Sequence, residues 1–282
     1  MDSAVDRVSA IIVTACICIL LTASQCGAGA WTMGKGQFYE RVAFNYYYAD
    51  EQFGVKKSWT TFRSFTDMNV SNYFEYGITD RFTLINALYY KDLEKQEAFS
   101  NVDASGVGDI DLGLKAKLLE GSWGVLSTQG LAKFPGFYDK NDALPLGNGQ
   151  YDTELRVLYG RSLYPFPGYV NFEIGYRWRL DDPSDELRYL AEFGMDFTRD
   201  LYGRIKLDGI LSMDNGAKNG AGLGIAGNPT ATNSFDLGKL DIALGYRLTK
   251  AYGLELVYTP EIYGRNTTQG ATYTLAFTYQ FK

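Results

Sequence analysis

The sequence predicts an all-β fold, namely a transmembrane, antiparallel, up-and-down β-barrel of about twelve strands. Three observations predict it. The 282 residues include 22 tyrosines, 17 phenylalanines and 31 glycines. Segments of about ten residues alternate between apolar and polar side chains and are separated by turn residues, which is the pattern of membrane barrels. An apolar run near the N-terminus has the form of an export signal.

The N-terminal run predicts export. Residues 11–22 are apolar, Arg7 precedes them, and the small residues Ala28-Gly29-Ala30 follow. This order is typical of a signal peptide, and the run is too short to span a bilayer comfortably. We therefore expect a signal peptide at residues 1–30, cleaved after Ala30, and a barrel at residues 31–282 in the bacterial outer membrane. A lipoprotein anchored through Cys26 is the alternative, although Gln25 before it is not small.

Composition limits the chemistry of the exported chain. The sequence has no histidine, and its three cysteines, Cys16, Cys18 and Cys26, all fall in the predicted signal peptide. Without them we expect no disulfide, no imidazole or thiolate metal site, no cofactor, and none of the serine–histidine chemistry of barrel enzymes. The sequence thus predicts a protein that is not an enzyme. The formal net charge of −6 gives no reason to expect a nucleic-acid partner.

The alternation is clearest at 109–118, where Ile110, Leu112 and Leu114 share one face and Asp111 and Lys115 the other. Similar segments lie at 170–180, 187–197, 203–211 and 240–248, with less regular ones at 38–48, 68–78, 82–91, 126–134, 151–159 and 254–262. A soluble β-sandwich also alternates, but its strands are typically about five or six residues long. Strands of about ten residues can cross a bilayer when tilted.

The connections between these segments alternate in length. Short links lie at 79–81, 119–122, 199–200 and 249–251, and long ones at 93–108, 135–149 and 213–234. Short periplasmic turns and long extracellular loops produce this alternation. We therefore expect both chain ends on the periplasmic side.

The polar faces carry charges of both signs. We expect these to line the lumen: Asp109, Asp111, Lys115, Lys117, Glu154, Arg156, Glu173, Arg177, Arg179, Arg188, Glu192, Asp196, Arg204, Lys206, Asp208, Asp241, Arg247 and Glu255. Two readings stay open. A cross-barrel network of ion pairs would fill the interior, whereas a polar channel would use the same charges for selectivity.

The last segment, Ala271–Phe281, places Tyr273, Leu275 and Phe277 on one face and threonines on the other. It resembles the C-terminal strand that the outer-membrane assembly machinery recognises, which favours a terminal aromatic residue. Here Lys282 follows Phe281, so the aromatic residue is penultimate. We expect this machinery and outer-membrane lipid to be partners of a monomeric barrel.

Three short motifs resemble one barrel family. The stretch 105–115, SGVGDIDLGLK, is similar to the Gly-x-Gly-Asp segment of barrels named for the meta-pathway of phenol degradation, and 75–82, EYGITDRF, resembles the strand–turn–strand unit before it. The start 30–36, AWTMGKG, resembles related XagA-type proteins. The resemblance implies transport across the outer membrane, with a hydrophobic or aromatic cargo in the first group and a link to exopolysaccharide in the second.

The sequence therefore predicts a passive outer-membrane channel or transporter for a small solute. The alternative is a non-conducting structural or interaction barrel, linked to exopolysaccharide assembly or adhesion.

Overall fold

The structure is a computed structural model that describes residues 29–54, 59–96, 100–216 and 234–281. This part of the chain contains thirteen β-strands: β1 (Phe38–Phe53), β2 (Trp59–Gly77), β3 (Phe82–Gln96), β4 (Asn101–Val107), β5 (Ile110–Gly121), β6 (Gly124–Phe134), β7 (Asp152–Ser162), β8 (Gly168–Arg179), β9 (Glu186–Asp196), β10 (Leu201–Ser212), β11 (Asp236–Arg247), β12 (Tyr252–Arg265) and β13 (Thr267–Phe281). Residues 1–28, which hold most of the predicted signal peptide, lie outside the described ranges, as do 217–233 and Lys282.

Antiparallel pairing closes these strands into a barrel. Each strand pairs with its neighbour in sequence except at β4 and β5, and β1 pairs with β13, from Phe38 opposite Phe281 to Phe53 opposite Thr267. The strands β4 and β5 both pair with β3, one after the other along the same edge. The barrel wall thus consists of twelve strands, with β4 as one additional strand, and the predicted fold class is confirmed.

The division between β4 and β5 is a change of register. Tyr90 stands opposite Val107, whereas Ala87 stands opposite Asp111, so one extra residue is accommodated at Gly108–Asp109. Such a bulge exchanges the inward and outward faces of the strand. The prediction of a long loop at 93–108 was therefore wrong, because the alternation on the two sides of the bulge is out of phase.

The apolar faces point outward. On β12, Leu254, Leu256 and Tyr258 are exposed, while Glu255 and Val257 are buried. A soluble protein would bury the first set, but here the surrounding solvent is lipid, and the polar set faces the interior. In the described ranges no helix is long and apolar enough to cross a membrane.

Five connections, those after β2, β5, β7, β9 and β11, lie at the end of the barrel that holds Phe38 and Phe281. The sequence predicts this to be the periplasmic end, and we call it so, with the extracellular end opposite. Three of these connections use the same device. The hydroxyl of Thr79 accepts hydrogen bonds from the backbone N–H groups two and three residues later, and Thr198 and Thr249 do the same. The polar turn residues that separated the strands in sequence thus satisfy the backbone where the chain reverses.

The Thr198 turn offers a test of this device. Replacement of Thr198 by alanine leaves the N–H groups of Asp200 and Leu201 without their partner, and we expect a loss of about 1 kcal/mol of unfolding free energy. The measurement is urea unfolding of the barrel in lipid vesicles. Thr198→Ser keeps the hydroxyl and serves as the control. Equal stability of the alanine and serine variants would contradict the role of the hydroxyl.

Candidate functional site

The inward-facing side chains enclose a cavity of about 640 Å³ that extends across the interior of the barrel. Each of the twelve wall strands contributes at least one lining residue. The basic residues on this wall are Arg41, Lys91, Lys115, Arg156, Arg177, Arg188, Arg204, Lys206 and Lys239, and the acidic ones are Asp67, Asp111, Glu173, Asp208, Asp241 and Glu261. Apolar and aromatic residues complete it, among them Tyr73, Ile85, Ala87, Tyr89, Leu131, Leu158 and Leu190. The cavity is therefore polar but not uniformly so, and basic groups outnumber acidic ones on its surface.

Ten of the residues named from sequence lie on the cavity wall: Asp111, Lys115, Arg156, Glu173, Arg177, Arg188, Arg204, Lys206, Asp208 and Asp241. The other eight lie behind the wall surface or near the ends of the barrel. Glu154, Glu192 and Glu255 are buried behind the cations that they bind, and Arg179 is buried against Glu186 at 3.0 Å. Asp109 holds a loop, Arg247 pairs with Asp196 at 2.6 Å, and Lys117 pairs with Glu120 at 2.7 Å.

Sequence reasoning missed several wall residues on the less regular strands. Arg41 and Lys91 line the cavity, and Glu75 is fully buried beside it. In β1 and β2 the inward face is mostly neutral, with Asn45, Asn69 and Ser71, so single charges there do not stand out as a charged face. Arg41 and Glu75 lie an odd number of positions from the exposed Phe44 and Met68, respectively. Because side chains on a strand alternate between its two faces, this spacing could have placed them on the inward face.

One carboxylate organises three arginines on adjacent strands. Glu154 on β7 contacts Arg156 at 2.6 Å, Arg177 of β8 at 2.8 Å and Arg188 of β9 at 3.5 Å. Glu173 adds a second contact to Arg156 at 2.6 Å. Burial of a carboxylate costs free energy unless charges and hydrogen bonds compensate it, and three guanidinium groups do so here.

The acidic and basic groups of these ion pairs lie at different depths in the wall. The side chains of Glu154 and Glu255 are 0% exposed, whereas those of Arg41 and Arg188 are 22% exposed. Arginine has a longer side chain than glutamate, so the carboxylates stay at the backbone and the guanidinium groups extend toward the axis. A solute inside the cavity therefore meets mainly the cations, although each is paired at its back.

The segment Gly29–Gln37, which we call the N-terminal strap, crosses the periplasmic end of the lumen. Its backbone is bonded to several walls, since Lys115 donates to the Gly29 carbonyl at 2.9 Å and Ser127 donates to the Ala30 carbonyl. The Ala30 N–H donates to Asn171 at 3.1 Å, and the Met33 N–H to Thr83 at 2.9 Å.

The ring of Trp31 fixes the strap at one side. It packs edge-on against Tyr169, with ring centroids 5.8 Å apart, and over Gly160, where a Cβ atom would lie 2.8 Å from the indole. The strap is therefore held at this end by ring contacts and hydrogen bonds, including the Gly36 N–H to the Gly77 carbonyl at 2.8 Å, and it is not a strand of the sheet.

The connection between β6 and β7, residues 135–151, folds into the opposite mouth, and we call it the mouth loop. Leu144 and Leu146 are buried against Tyr47, Phe65 and Leu93 on the inner face of the first three strands. Three leucines and two aromatic rings thus meet at the extracellular end, and this contact places the mouth loop over the inner face of the first three strands.

Polar contacts hold the base of the mouth loop. Tyr138 donates to Asp109 and accepts a hydrogen bond from the Gly149 N–H at 2.8 Å. Burial and the hydrogen bond to Asp109 raise the pKa of the Tyr138 phenol, so it remains a donor at neutral pH. Lys133 pairs with Asp109 at 3.2 Å and Asp152 at 2.7 Å and also donates to Asn148, which connects the loop to the barrel wall.

A larger apolar recess, of about 1160 Å³, lies on the outside of the barrel. Lipid-facing residues line it, including Phe44, Met68, Ile205, Leu244 and Leu275. Because these side chains belong to the outer apolar face, we assign this recess to the bilayer and not to a solute.

Comparisons with known proteins agree on the fold. No protein-family profile and no curated protein matches the sequence. Among solved structures, an outer-membrane channel from Pseudomonas putida F1 is similar at a TM-score of 0.70 and 18% identity, over 89% of this chain and 98% of that one. The NanC porin follows with 0.54 and 8%, over 86% and 100%. The translocator domain of the autotransporter NalP from Neisseria meningitidis has 0.50 and 11%, over 97% and 98%. At these identities the likeness shows a shared outer-membrane barrel fold.

The position of Glu154 gives a second prediction. Glu154→Gln removes the carboxylate that three arginines share, and we expect a loss of about 3 kcal/mol or more of unfolding free energy. Urea unfolding in lipid vesicles measures it. Glu120→Gln is the matched control, because Glu120 forms an exposed pair with Lys117, worth under about 1 kcal/mol. Equal losses in the two variants would show that Glu154 does not organise the wall.

Proposed function

We propose that the protein is a passive outer-membrane channel for small molecules, with the lumen as its path. The observation that carries this proposal is the polar cavity of about 640 Å³ on the barrel axis, bounded at both ends by segments outside the strand ladder. The walls are a closed hydrogen-bonded sheet, whereas the strap and the mouth loop are held by side chains. Their displacement would open a path without disrupting a strand pair.

The resemblance to the phenol-pathway barrels supports a hydrophobic or aromatic cargo. The cavity supports this in part, since Ile85, Leu131, Leu158 and Tyr89 offer apolar contact among the charges. Basic groups outnumber acidic ones on the wall, so we expect the solute to carry a polar group as well.

Further parts of the proposal concern biogenesis. We infer that an N-terminal signal peptide exports the chain, that the assembly machinery recognises β13 through its alternation and Phe281, and that the barrel is a monomer in outer-membrane lipid. Support comes from the apolar run at 11–22 and from the outward apolar side chains Tyr273, Leu275 and Phe277 of β13.

A non-conducting structural or interaction barrel, serving exopolysaccharide assembly or adhesion, is the second candidate. The contacts of the strap and the mouth loop with the barrel wall favour it, because a barrel that never opens would have the same contacts.

Conductance in planar bilayers distinguishes the two candidates. In the double variant Leu144→Ser, Leu146→Ser we expect more frequent openings than in the unmodified protein, because burial of each leucine is worth roughly 1.5–3 kcal/mol toward the closed arrangement. Phe137→Ser is the matched control: it lies in the same loop but is 94% exposed, so its loss should leave the openings unchanged.

Heat-modifiable migration on SDS gels verifies that each variant is folded before it is measured. If folded preparations of the unmodified protein and the double variant both remain silent, the channel proposal fails and the structural barrel is favoured.

A further inference from the structure

Three arginines on adjacent strands form a distinct part of the cavity wall. Arg156, Arg177 and Arg188 lie on β7, β8 and β9, and their side chains are 10–22% exposed toward the lumen. Gly175 stands opposite both Arg156 and Arg188 in the strand register. A Cβ atom at Gly175 would lie 3.2 Å from the Cβ and Cγ atoms of Arg156, so the Arg156 side chain packs over this glycine.

The contacts of Arg188 differ from those of its neighbours. Arg156 and Arg177 contact Glu154 at 2.6 and 2.8 Å, whereas the ion pairs of Arg188 are long, 3.5 Å to Glu154 and 3.7 Å to Glu186. A guanidinium group carries five N–H donors in a planar fork that matches a carboxylate. Arg188 thus has the geometry and the donors to bind an anion in the lumen.

Apolar groups border the same place. Leu158 is two residues from Arg156 on β7, and Leu190 is two residues from Arg188 on β9, so each lies on the inward face beside its arginine. Leu158 is buried against Ala30 and Val125, so a ligand with a charged group at the arginines would rest its apolar part on Leu190.

We propose that this part of the lumen is a binding site for small aromatic carboxylates, with the carboxylate at Arg188 and the ring against Leu190. The inference deepens the proposed channel function, and its consequence for transport rests on that function. Binding itself does not require an open barrel. The excess of basic groups on the cavity wall also favours anions over cations along the path.

Calorimetric titration of the purified full-length protein in detergent tests the site with three probes: benzoate, its neutral analogue benzamide, and acetate, which lacks the ring. We expect benzoate to bind at least about tenfold more tightly than either of the others. Arg188→Gln should weaken benzoate by about tenfold or more and leave benzamide unchanged. Arg188→Lys, which keeps the charge but loses the fork, should give an intermediate affinity.

Lys239→Gln is the matched control, because it removes one positive charge from the same cavity on β11. We expect its benzoate affinity to stay within about threefold, since the charge is not part of the arginine site. Equal binding of benzoate and benzamide, or equal losses at Arg188 and Lys239, would overturn the proposal. Conductance of the same preparation reports on the channel separately, so a silent barrel that binds benzoate contradicts only the channel.

A second inference concerns the start of the exported chain. Gly29 and Ala30 are built into the barrel: Ala30 is 0% exposed, and the carbonyls of both residues accept hydrogen bonds from Lys115 and Ser127. Gly29 has a φ of +95°, and a Cβ atom there would lie 2.7 Å from the Asn171 side chain, so glycine is required at this position. Signal peptidase acts before the barrel folds, so a residue that it removed could not make these contacts.

We infer that the signal peptide ends at Ala28, two residues before the position favoured by sequence alone. Water then hydrolyses the Ala28–Gly29 bond, which leaves a carboxylate on Ala28 and the α-ammonium group on Gly29. Cys26 and Ala28 supply the small residues that the peptidase reads before the cut. The strap retains all of its contacts in the mature protein.

N-terminal sequencing and intact mass of the protein purified from outer membranes test this inference. We expect a sequence beginning Gly-Ala-Trp. A start at Trp31 would overturn it, and so would a lipid-modified Cys26. Gly29→Val should lower the unfolding temperature, while Gly130→Val, at a glycine with open space around its Cβ position and no positive φ, should lower it less. Equal effects of these two substitutions would show that Gly29 is not packed in the mature barrel.

Discussion

The closed hydrogen-bonded ladder is the constraint on which the rest of this structure depends. Within lipid no water satisfies a backbone N–H or C=O group, so the sheet must close on itself, and the pairing of β1 with β13 does so along both strands. Closure then divides every strand into two faces. The lipid-facing side must be apolar, which leaves the interior as the place for almost every charge in the spanning region.

Charges confined in this way must neutralise one another. The wall does so through shared carboxylates: Glu154 binds three arginines, and Glu255 binds Arg41 at 3.0 Å and Arg204 at 3.6 Å. Because arginine is the longer side chain, neutralisation does not make the surface neutral. The carboxylates remain at the backbone, and the guanidinium groups form the surface that a solute would meet.

The two end closures differ in chemistry. The strap is held mainly through backbone hydrogen bonds to Lys115, Ser127, Asn171 and Thr83, whereas the mouth loop relies on apolar burial of Leu144 and Leu146. Apolar burial is non-directional and tolerates repacking, while hydrogen bonds fix position and orientation. The part of the mouth loop around Leu144 and Leu146 can therefore move with the smaller loss of specific contacts, while the hydrogen bonds of Tyr138 hold its base.

Local pattern was enough to predict much of the barrel. The alternation in 109–118, 170–180 and 240–248 reports which face meets lipid, because side chains on a strand alternate with a period of two, and turn threonines such as Thr198 mark the reversals. The sequence also placed ten wall residues by parity alone. It could not reveal the bulge at Gly108–Asp109, since a register change is a property of the pair of strands and not of one strand.

Only the tertiary structure decided the contacts between residues that are distant in sequence. The strap lies against β3, β5, β6, β7 and β8 although it precedes them all, and the mouth loop reaches Tyr47 and Phe65 across the lumen. The arginines around Gly175 converge because three strands bring them to one level. A sequence determines by itself which face of a strand a side chain occupies, since that depends on the local backbone. Which other side chains it meets there depends on strand register and closure, which are set by the barrel as a whole.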